Sequence, residues 1–121
     1  MSASPAVRGV RVRRVIVGIV LAVLTLSVGQ DAGATPPKRR THTVVMEGTR
    51  FQPETISAKP GDTIVWVNKD LFPHSATSAA GKFDSSVIAV GASWKFTAKT
   101  KGDFDYTCIF HPTMKGRLRV Q

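Results

Sequence analysis

The chain has 121 residues, which is enough for one domain and too few to hold two comfortably. Its 17 Lys and Arg residues against 8 Asp and Glu residues give a net charge of +9, which favours acidic partners or anionic surfaces. Cys108 is the single cysteine, so the chain cannot build a disulfide framework. No Ser-His-Asp set or phosphate-binding glycine loop is evident, and we expect a protein that is not an enzyme.

Residues 1–34 have the features of a secretory signal. Four arginines precede an apolar run from Val15 to Val28, and Ala32-Gly33-Ala34 supplies the small residues that a signal peptidase needs. The run has 14 residues, whereas a membrane-spanning helix needs about 20, so an uncleaved membrane anchor is the competing interpretation. Without this segment the chain keeps a net charge of +6. Export also makes nucleic acid a poor candidate partner.

The pattern after the signal predicts a flexible basic leader at residues 35–42 and a single domain at residues 43–121. His42 ends that leader, and we expect it to be a solvated side chain rather than a ligand. In the domain, short runs with strand chemistry alternate with turns that contain Gly, Pro and Asp. The predicted strands are Thr43–Glu47, Thr55–Ala58, Thr63–Asn68, His74–Ser78, Ser93–Ala98, Asp103–Cys108 and Gly116–Val120.

Alternation along these strands indicates which side chains face the core. Phe104, Tyr106 and Cys108 share one face of their strand, and Ile64 and Trp66 share one face of another. Seven to eight short strands in so short a domain predict an all-β fold, an antiparallel β-sandwich. A bound metal would help to stabilise a domain of this size.

The segment from Cys108 to Met114 carries the strongest chemical signal. It offers the Cys108 thiolate, the His111 imidazole and the Met114 thioether within seven residues. Thiolate and thioether are soft ligands that favour copper, and imidazole suits copper as well. His74, which begins a predicted strand, is the natural fourth ligand. Two histidines, a cysteine and a weak axial methionine form the blue-copper arrangement.

Other kinds of site remain open on the residues alone. Zinc can be held by Cys108, His74 and His111, but Met114 is then unexplained. A copper carrier or storage protein of the cell envelope uses similar ligands, although such proteins favour sites with many Met or Cys residues. Only Met46 and Met114 follow the predicted signal. A metal-free binding module is excluded only to the extent that the four ligands are real.

From about Val44 to Val120 the chain resembles the plastocyanin and amicyanin branch of the cupredoxins. The similar segments are Phe51-Gln52-Pro53, Lys59-Pro60-Gly61-Asp62-Thr63, Pro73-His74, Phe83-Asp84-Ser85 and Tyr106 to Gly116. The spacing Cys-x-x-His-x-x-Met is that of amicyanin and pseudoazurin. The resemblance implies a Greek-key β-sandwich with one type 1 copper at one end, held by His74, Cys108, His111 and Met114.

The same resemblance implies a carrier of single electrons in the periplasm or at the outer face of the cytoplasmic membrane. Its partners would be donor and acceptor redox proteins, and we expect a monomer without stable membrane insertion after signal cleavage. Six apolar residues flank the two histidines and predict a docking patch: Leu71, Phe72, Pro73, Ile109, Phe110 and Pro112. Four basic residues are candidates for steering an acidic partner: Lys69, Lys115, Arg117 and Arg119.

Two positions depart from the family pattern. Ser75 stands where the family commonly has Asn, so we expect a looser connection between the two copper loops, although the Ser75 N–H can still reach the Cys108 sulfur. Phe110 stands where many relatives have Pro, which lacks an N–H. We therefore expect the Phe110 N–H to donate a second hydrogen bond to the Cys108 sulfur. Our hypothesis is that this raises the reduction potential relative to relatives that have proline here.

Overall fold

The computed structural model describes residues 32–121 together with Gly9, Gly18 and Gly29. The predicted export signal, residues 1–34, lies outside the described residues apart from those three glycines and residues 32–34. Residues Thr35–Gln121 form one compact unit. No helix among the described residues is long and apolar enough to cross a membrane.

The regular structure in the described part of the chain consists of eight strands and no helix. The strands are β1 (Thr41–Glu47), β2 (Arg50–Gln52), β3 (Thr55–Ala58), β4 (Thr63–Asn68), β5 (Thr77–Ser78), β6 (Ser93–Thr97), β7 (Gly102–Thr107) and β8 (Lys115–Val120). Of the predicted strand at His74–Ser78, only the last two residues are a strand. His74 instead makes an isolated bridge with Ile88. β2 has three residues, too few for alternation to reveal it in the sequence.

The strands form two four-stranded sheets, with the orders β2-β1-β4-β6 and β3-β8-β7-β5. This confirms the predicted all-β sandwich, but the sheets are mixed rather than purely antiparallel. β1 pairs in parallel with β4, and β3 pairs in parallel with β8. The reason is that the chain changes sheet between β2 and β3 and again before β4. A strand that returns after such a crossover can lie parallel to an earlier one.

The core lies between the two sheets and is rich in aromatic rings. Trp66 from β4 and Tyr106 from β7 are both fully buried, and their ring centroids are 5.5 Å apart in a nearly perpendicular contact. Phe83 packs against both rings. Cys108 follows Tyr106 on the inward face, as the alternation predicted, and it is also fully buried. β7 therefore delivers Cys108 to one end of a packed core.

The first strand begins at Thr41, two residues before the predicted start, so the predicted leader loses its last two residues to the sheet. His42 is half-buried, and its Nε2 lies 2.8 Å from Oδ2 of the buried Asp62. The Asp62 carboxylate also accepts the N–H groups of Arg40 and Lys59. The expectation of a solvated His42 was wrong because its partner is 20 residues away in the chain and is brought near only by the parallel pairing of β1 with β4.

Asp62→Asn is expected to lower the free energy of unfolding of the metal-free protein at neutral pH. The hydrogen bond from His42, followed by those from Lys59 and Arg40, stabilises the carboxylate and holds the pKa of Asp62 well below its ordinary value of 3.8. Because the pKa is lower in the folded state than in the unfolded chain, this stabilisation is complete above that ordinary value. It is lost as the pH falls through the folded-state pKa.

Urea unfolding at neutral and acidic pH measures this difference, with Asp103→Asn as the control. Asp103 is an exposed carboxylate, and its contact with Arg119 is long, at 3.8 Å. The difference in the free energy of unfolding between the wild type and Asp62→Asn should become smaller at acidic pH. An equal difference at every pH would contradict the assignment.

Candidate metal centre

Two loops at the same end of the sandwich supply the predicted ligands. His74 lies between β4 and β5, where its backbone N–H and C=O both bond to Ile88, at 3.1 and 2.7 Å. Cys108 directly follows β7. Both side chains are fully buried. The hydrogen bonds to Ile88 hold the His74 backbone in place beside the end of β7.

The segment from Cys108 to Met114 is a tight loop between β7 and β8. The Cys108 N–H donates to the Met114 carbonyl at 3.1 Å, and the Met114 N–H donates to the His111 carbonyl at 2.9 Å. His111 is half-buried, whereas the Met114 side chain is only 2% exposed. The two ends of the loop are thus joined by the backbone, which keeps the backbones of its three donor residues close to one another.

The donor atoms of His74, Cys108 and His111 converge. The Cys108 Sγ lies 3.7 Å from Nδ1 of His74 and 3.8 Å from Nδ1 of His111, and the three donor atoms lie within 4.8 Å of one another. Metal–ligand distances of about 2.0–2.3 Å and angles near 120° place neighbouring donors about 3.6 Å apart. One thiolate and two imidazoles at this spacing fit a single metal ion, and these soft and intermediate donors fit copper.

The Cys108 sulfur accepts one backbone hydrogen bond from the opposite loop. The Ser75 N–H points to Sγ at 3.3 Å, which confirms the expectation for this group. No hydrogen bond joins the N–H of Phe110 to the sulfur in the described part of the chain. The expectation that Phe110 adds a second donor and raises the reduction potential therefore loses its structural basis.

Ser75 also connects the two loops through its hydroxyl. Its Oγ accepts the Ile109 N–H at 3.0 Å and lies 3.0 Å from Oγ1 of Thr77. Thr77 in turn donates to Oδ1 of Asp84 at 3.2 Å. The directions are consistent along the series, since each hydroxyl accepts from one neighbour and donates to the next. Ser75 therefore joins the two loops despite its short side chain, and Thr77 and Asp84 extend its hydrogen-bond network.

Sequence reasoning missed one residue beside the centre, Asp70. Its Oδ2 lies 2.9 Å from Nε2 of His74 and accepts the Thr49 N–H, also at 2.9 Å. The hydrogen bond from Thr49, together with that from His74, lowers the pKa of Asp70 to about 2. The available signal was an acidic residue four positions before the first histidine, which by itself is a common pattern.

Apolar side chains surround the two loops on the outside. Leu71 is 83% exposed, Phe72 56%, Ile109 55% and Phe110 45%, and Pro73 and Pro112 are exposed as well. This matches the predicted patch next to the two histidines. An exposed patch of apolar residues is typical of an interaction surface.

The chain is similar to known proteins along most of its length. Residues 16–120 match a family model described as the cupredoxin-like domain. The amicyanin of Paracoccus versutus is 26% identical over 83 residues, which cover 64% of this chain and 63% of that protein. The chain therefore spans less than two thirds of this amicyanin. The plastocyanin of Scenedesmus fuscus is 28% identical over 111 residues, which cover 81% of this chain and 99% of that protein.

A solved Cu(I) form of an amicyanin mutant has the same fold. The structures agree with a TM-score of 0.64 at 23% identity, covering 67% of this chain and 82% of the other.

Removal of the Ser75 hydroxyl should weaken the connection between the loops. In Ser75→Ala the Ile109 N–H loses its acceptor, and we expect the free energy of unfolding of the metal-free protein to fall by about 1–2 kcal/mol. Thr77→Val is the matched comparison, because it removes only the next hydroxyl in the series and leaves the acceptor of Ile109 in place. Its effect on urea unfolding should be smaller. Equal unfolding midpoints for Ser75→Ala and the wild type would contradict this role.

Proposed function

Since this chain belongs to the cupredoxin family, in its plastocyanin and amicyanin branch, and takes one copper ion as its cofactor, we propose that it carries single electrons between redox proteins. The observation that supports this most strongly is the convergence of the Cys108 sulfur and two histidine Nδ1 atoms at the end of the sandwich. Bound copper supplies a Cu(II)/Cu(I) couple that takes up or releases one electron.

In this proposal His74, Cys108 and His111 would hold the copper as its strong ligands, and Met114 would supply a fourth, weaker one. Hydrogen bonds hold the loops that carry them. Ser75 joins one loop to the Cys108 sulfur and to Ile109, and the Cys108 and Met114 backbones join the ends of the other loop. Side chains held in this way move little when the charge of the centre changes, which is the property an electron carrier needs.

We propose the apolar patch around His111 as the place where partners dock. His111 is the more exposed of the two histidines, so its ring offers the shorter route between the centre and the surface. Small, brief contacts are typical of complexes between redox proteins. The partners themselves, a donor and an acceptor, are proposed by class only.

Basic residues near this patch favour an acidic partner, but fewer of them are available than the sequence indicated. Arg117 is paired with Asp105, and Arg119 lies near Asp103, so their charges are partly compensated on the outer face of β8. Lys69 and Lys115 remain exposed near the ligand loops and are the residues proposed to steer an acidic partner.

We further propose that the protein is exported to the periplasm or the outer face of the cytoplasmic membrane. The basic and apolar pattern of residues 1–34 supports export, and a lone cysteine that is buried and used as a ligand suits an oxidising compartment. The proposed mature protein is a monomeric domain without catalytic activity or stable membrane insertion. It begins with a short basic leader before β1.

The alternative of a copper carrier or storage protein has less support. Met46, one of the two methionines that follow the predicted signal, lies fully buried in the hydrophobic core. Met114 is then the single thioether near the centre in residues 32–121, which does not resemble the methionine-rich sites of such proteins.

Electron self-exchange tests the proposal without any knowledge of the partners. In mixtures of the Cu(I) and Cu(II) forms, NMR line broadening measures the rate at which one copy passes an electron to another. We expect rapid exchange in the wild type and at least a tenfold slower rate in Ile109→Glu, because a charge in the apolar patch opposes contact there.

Lys101→Gln is the control, because it lowers the net charge by one unit as Ile109→Glu does. Lys101 lies before β7, at the end of that strand opposite Cys108, and so away from the patch. The control should leave the self-exchange rate nearly unchanged. Copper that cannot be reduced and reoxidised reversibly in the wild type would refute the electron-carrier proposal and favour a copper carrier.

A further inference from the structure

Asp70 makes contacts that tie one predicted copper ligand to a distant hairpin. Its Oδ2 is shared between Nε2 of His74 and the N–H of Thr49, both at 2.9 Å, and its Oδ1 accepts the Leu71 N–H at 3.1 Å. The Asp70 side chain is 13% exposed and that of His74 is 0% exposed. A carboxylate this well enclosed has little freedom to leave its position.

The backbone around Asp70 is also fixed. Its N–H donates to Oδ1 of Asn68 at 2.9 Å, and the Asn68 amide group donates to the carbonyls of Phe72 and Ile88. Thr49 lies at the tip of the β1–β2 hairpin with a φ of 60°, a conformation that side chains other than glycine adopt rarely. The hydrogen bond to Asp70 helps to hold this tip, so the carboxylate is positioned both by the hairpin and by its own loop.

The two nitrogens of the His74 ring therefore face different groups. Nδ1 faces the Cys108 sulfur at 3.7 Å, and Nε2 faces Asp70. An ionised carboxylate only accepts hydrogen bonds, so the contact requires a proton on Nε2. In the neutral ring Nδ1 then keeps its lone pair for a metal. In metal sites, such outer partners commonly fix the tautomer and the ring orientation of the histidine ligand.

His111 has no comparable partner. Its Nδ1 faces the same sulfur at 3.8 Å, but no hydrogen bond joins its Nε2 to any residue in the described part of the chain. The two histidines therefore differ in their surroundings. In the described part of the chain, Nε2 of His74 contacts a carboxylate and Nε2 of His111 does not.

We propose that Asp70 is a positioning residue, which holds His74 in the tautomer that presents Nδ1 to the metal and whose negative charge lowers the reduction potential of the bound copper. The second effect follows from Coulomb's law, because a nearby negative charge favours Cu(II), the more positive state, over Cu(I). The inference about the potential rests on the proposed function, whereas the inference about the tautomer needs only a bound metal.

The tautomer is tested by NMR on the Zn(II)-loaded protein, which requires no redox activity. In the wild type, the Nε2–H proton of His74 should be visible and should exchange slowly with solvent. In Asp70→Ala its exchange should be at least tenfold faster, and the affinity for Zn(II) should fall about tenfold or more. A wild type in which Nδ1 carries the proton, or in which Nε2–H exchanges as fast as in Asp70→Ala, would overturn the positioning role.

The potential is tested by voltammetry on the copper-loaded protein with Asp70→Asn, which keeps the shape of the side chain and removes its charge. Glu47→Gln is the control, because it removes one negative charge as Asp70→Asn does. Glu47 is an exposed residue of β1. Asp70→Asn should raise the potential clearly more than Glu47→Gln does. Equal shifts in the two variants would overturn the electrostatic role.

Failure of this inference can be told from failure of the proposed function. A wild type without reversible copper reduction removes the electron-carrier proposal, while the Zn(II) experiment still decides the role of Asp70. A wild type that carries electrons, combined with an Asp70→Ala variant that leaves the His74 proton and the metal affinity unchanged, removes only the role of Asp70.

Discussion

The contact on which the rest of the centre depends is the one that Ser75 makes with the loop that follows β7. Its N–H reaches the Cys108 sulfur and its hydroxyl accepts the Ile109 N–H, so one residue joins the backbone beside His74 to the backbone beside Cys108. The two ligands are 34 residues apart in the chain. This connection helps to keep Nδ1 of His74 and the Cys108 sulfur 3.7 Å apart.

The same contact relates the fold to the proposed function. β7 belongs to a sheet whose inward side chains pack against Trp66, and this packing fixes where Cys108 emerges. Ser75 then places the other loop relative to that point, and Asp70 sets the orientation of the His74 ring. A centre held from both sides suits the exchange of an electron, because the ligands need little rearrangement when the charge changes.

Much of this could be predicted from the sequence where the signal is local. The spacing of Cys108, His111 and Met114 places three donors on one loop, and the alternation of Phe104, Tyr106 and Cys108 gives the inward face of β7. Features that depend on distant pairing could not be predicted. The parallel pairing of β1 with β4 brings His42 to Asp62, and β2 is too short to show a pattern.

The surroundings of the centre were hardest to predict for the same reason. The sequence predicted a weak connection at Ser75 because its side chain is short. It did not show that Thr77 and Asp84 would extend the network, since only the folded chain places them beside Ser75. Phe110 has an N–H, but in the described part of the chain it makes no hydrogen bond to the sulfur. The direction of a backbone group in a tight loop is set by the whole loop and not by the identity of one residue.

The most direct test of the central claim is the absorption and EPR spectrum of residues 35–121 with one equivalent of Cu(II), beside a Cys108→Ser control. A type 1 centre predicts an intense thiolate-to-copper band in the visible red and a narrow copper hyperfine splitting, both lost in the control. A colourless protein, or an ordinary tetragonal Cu(II) spectrum that the control shares, would contradict the assignment of His74, Cys108, His111 and Met114 as one blue-copper site.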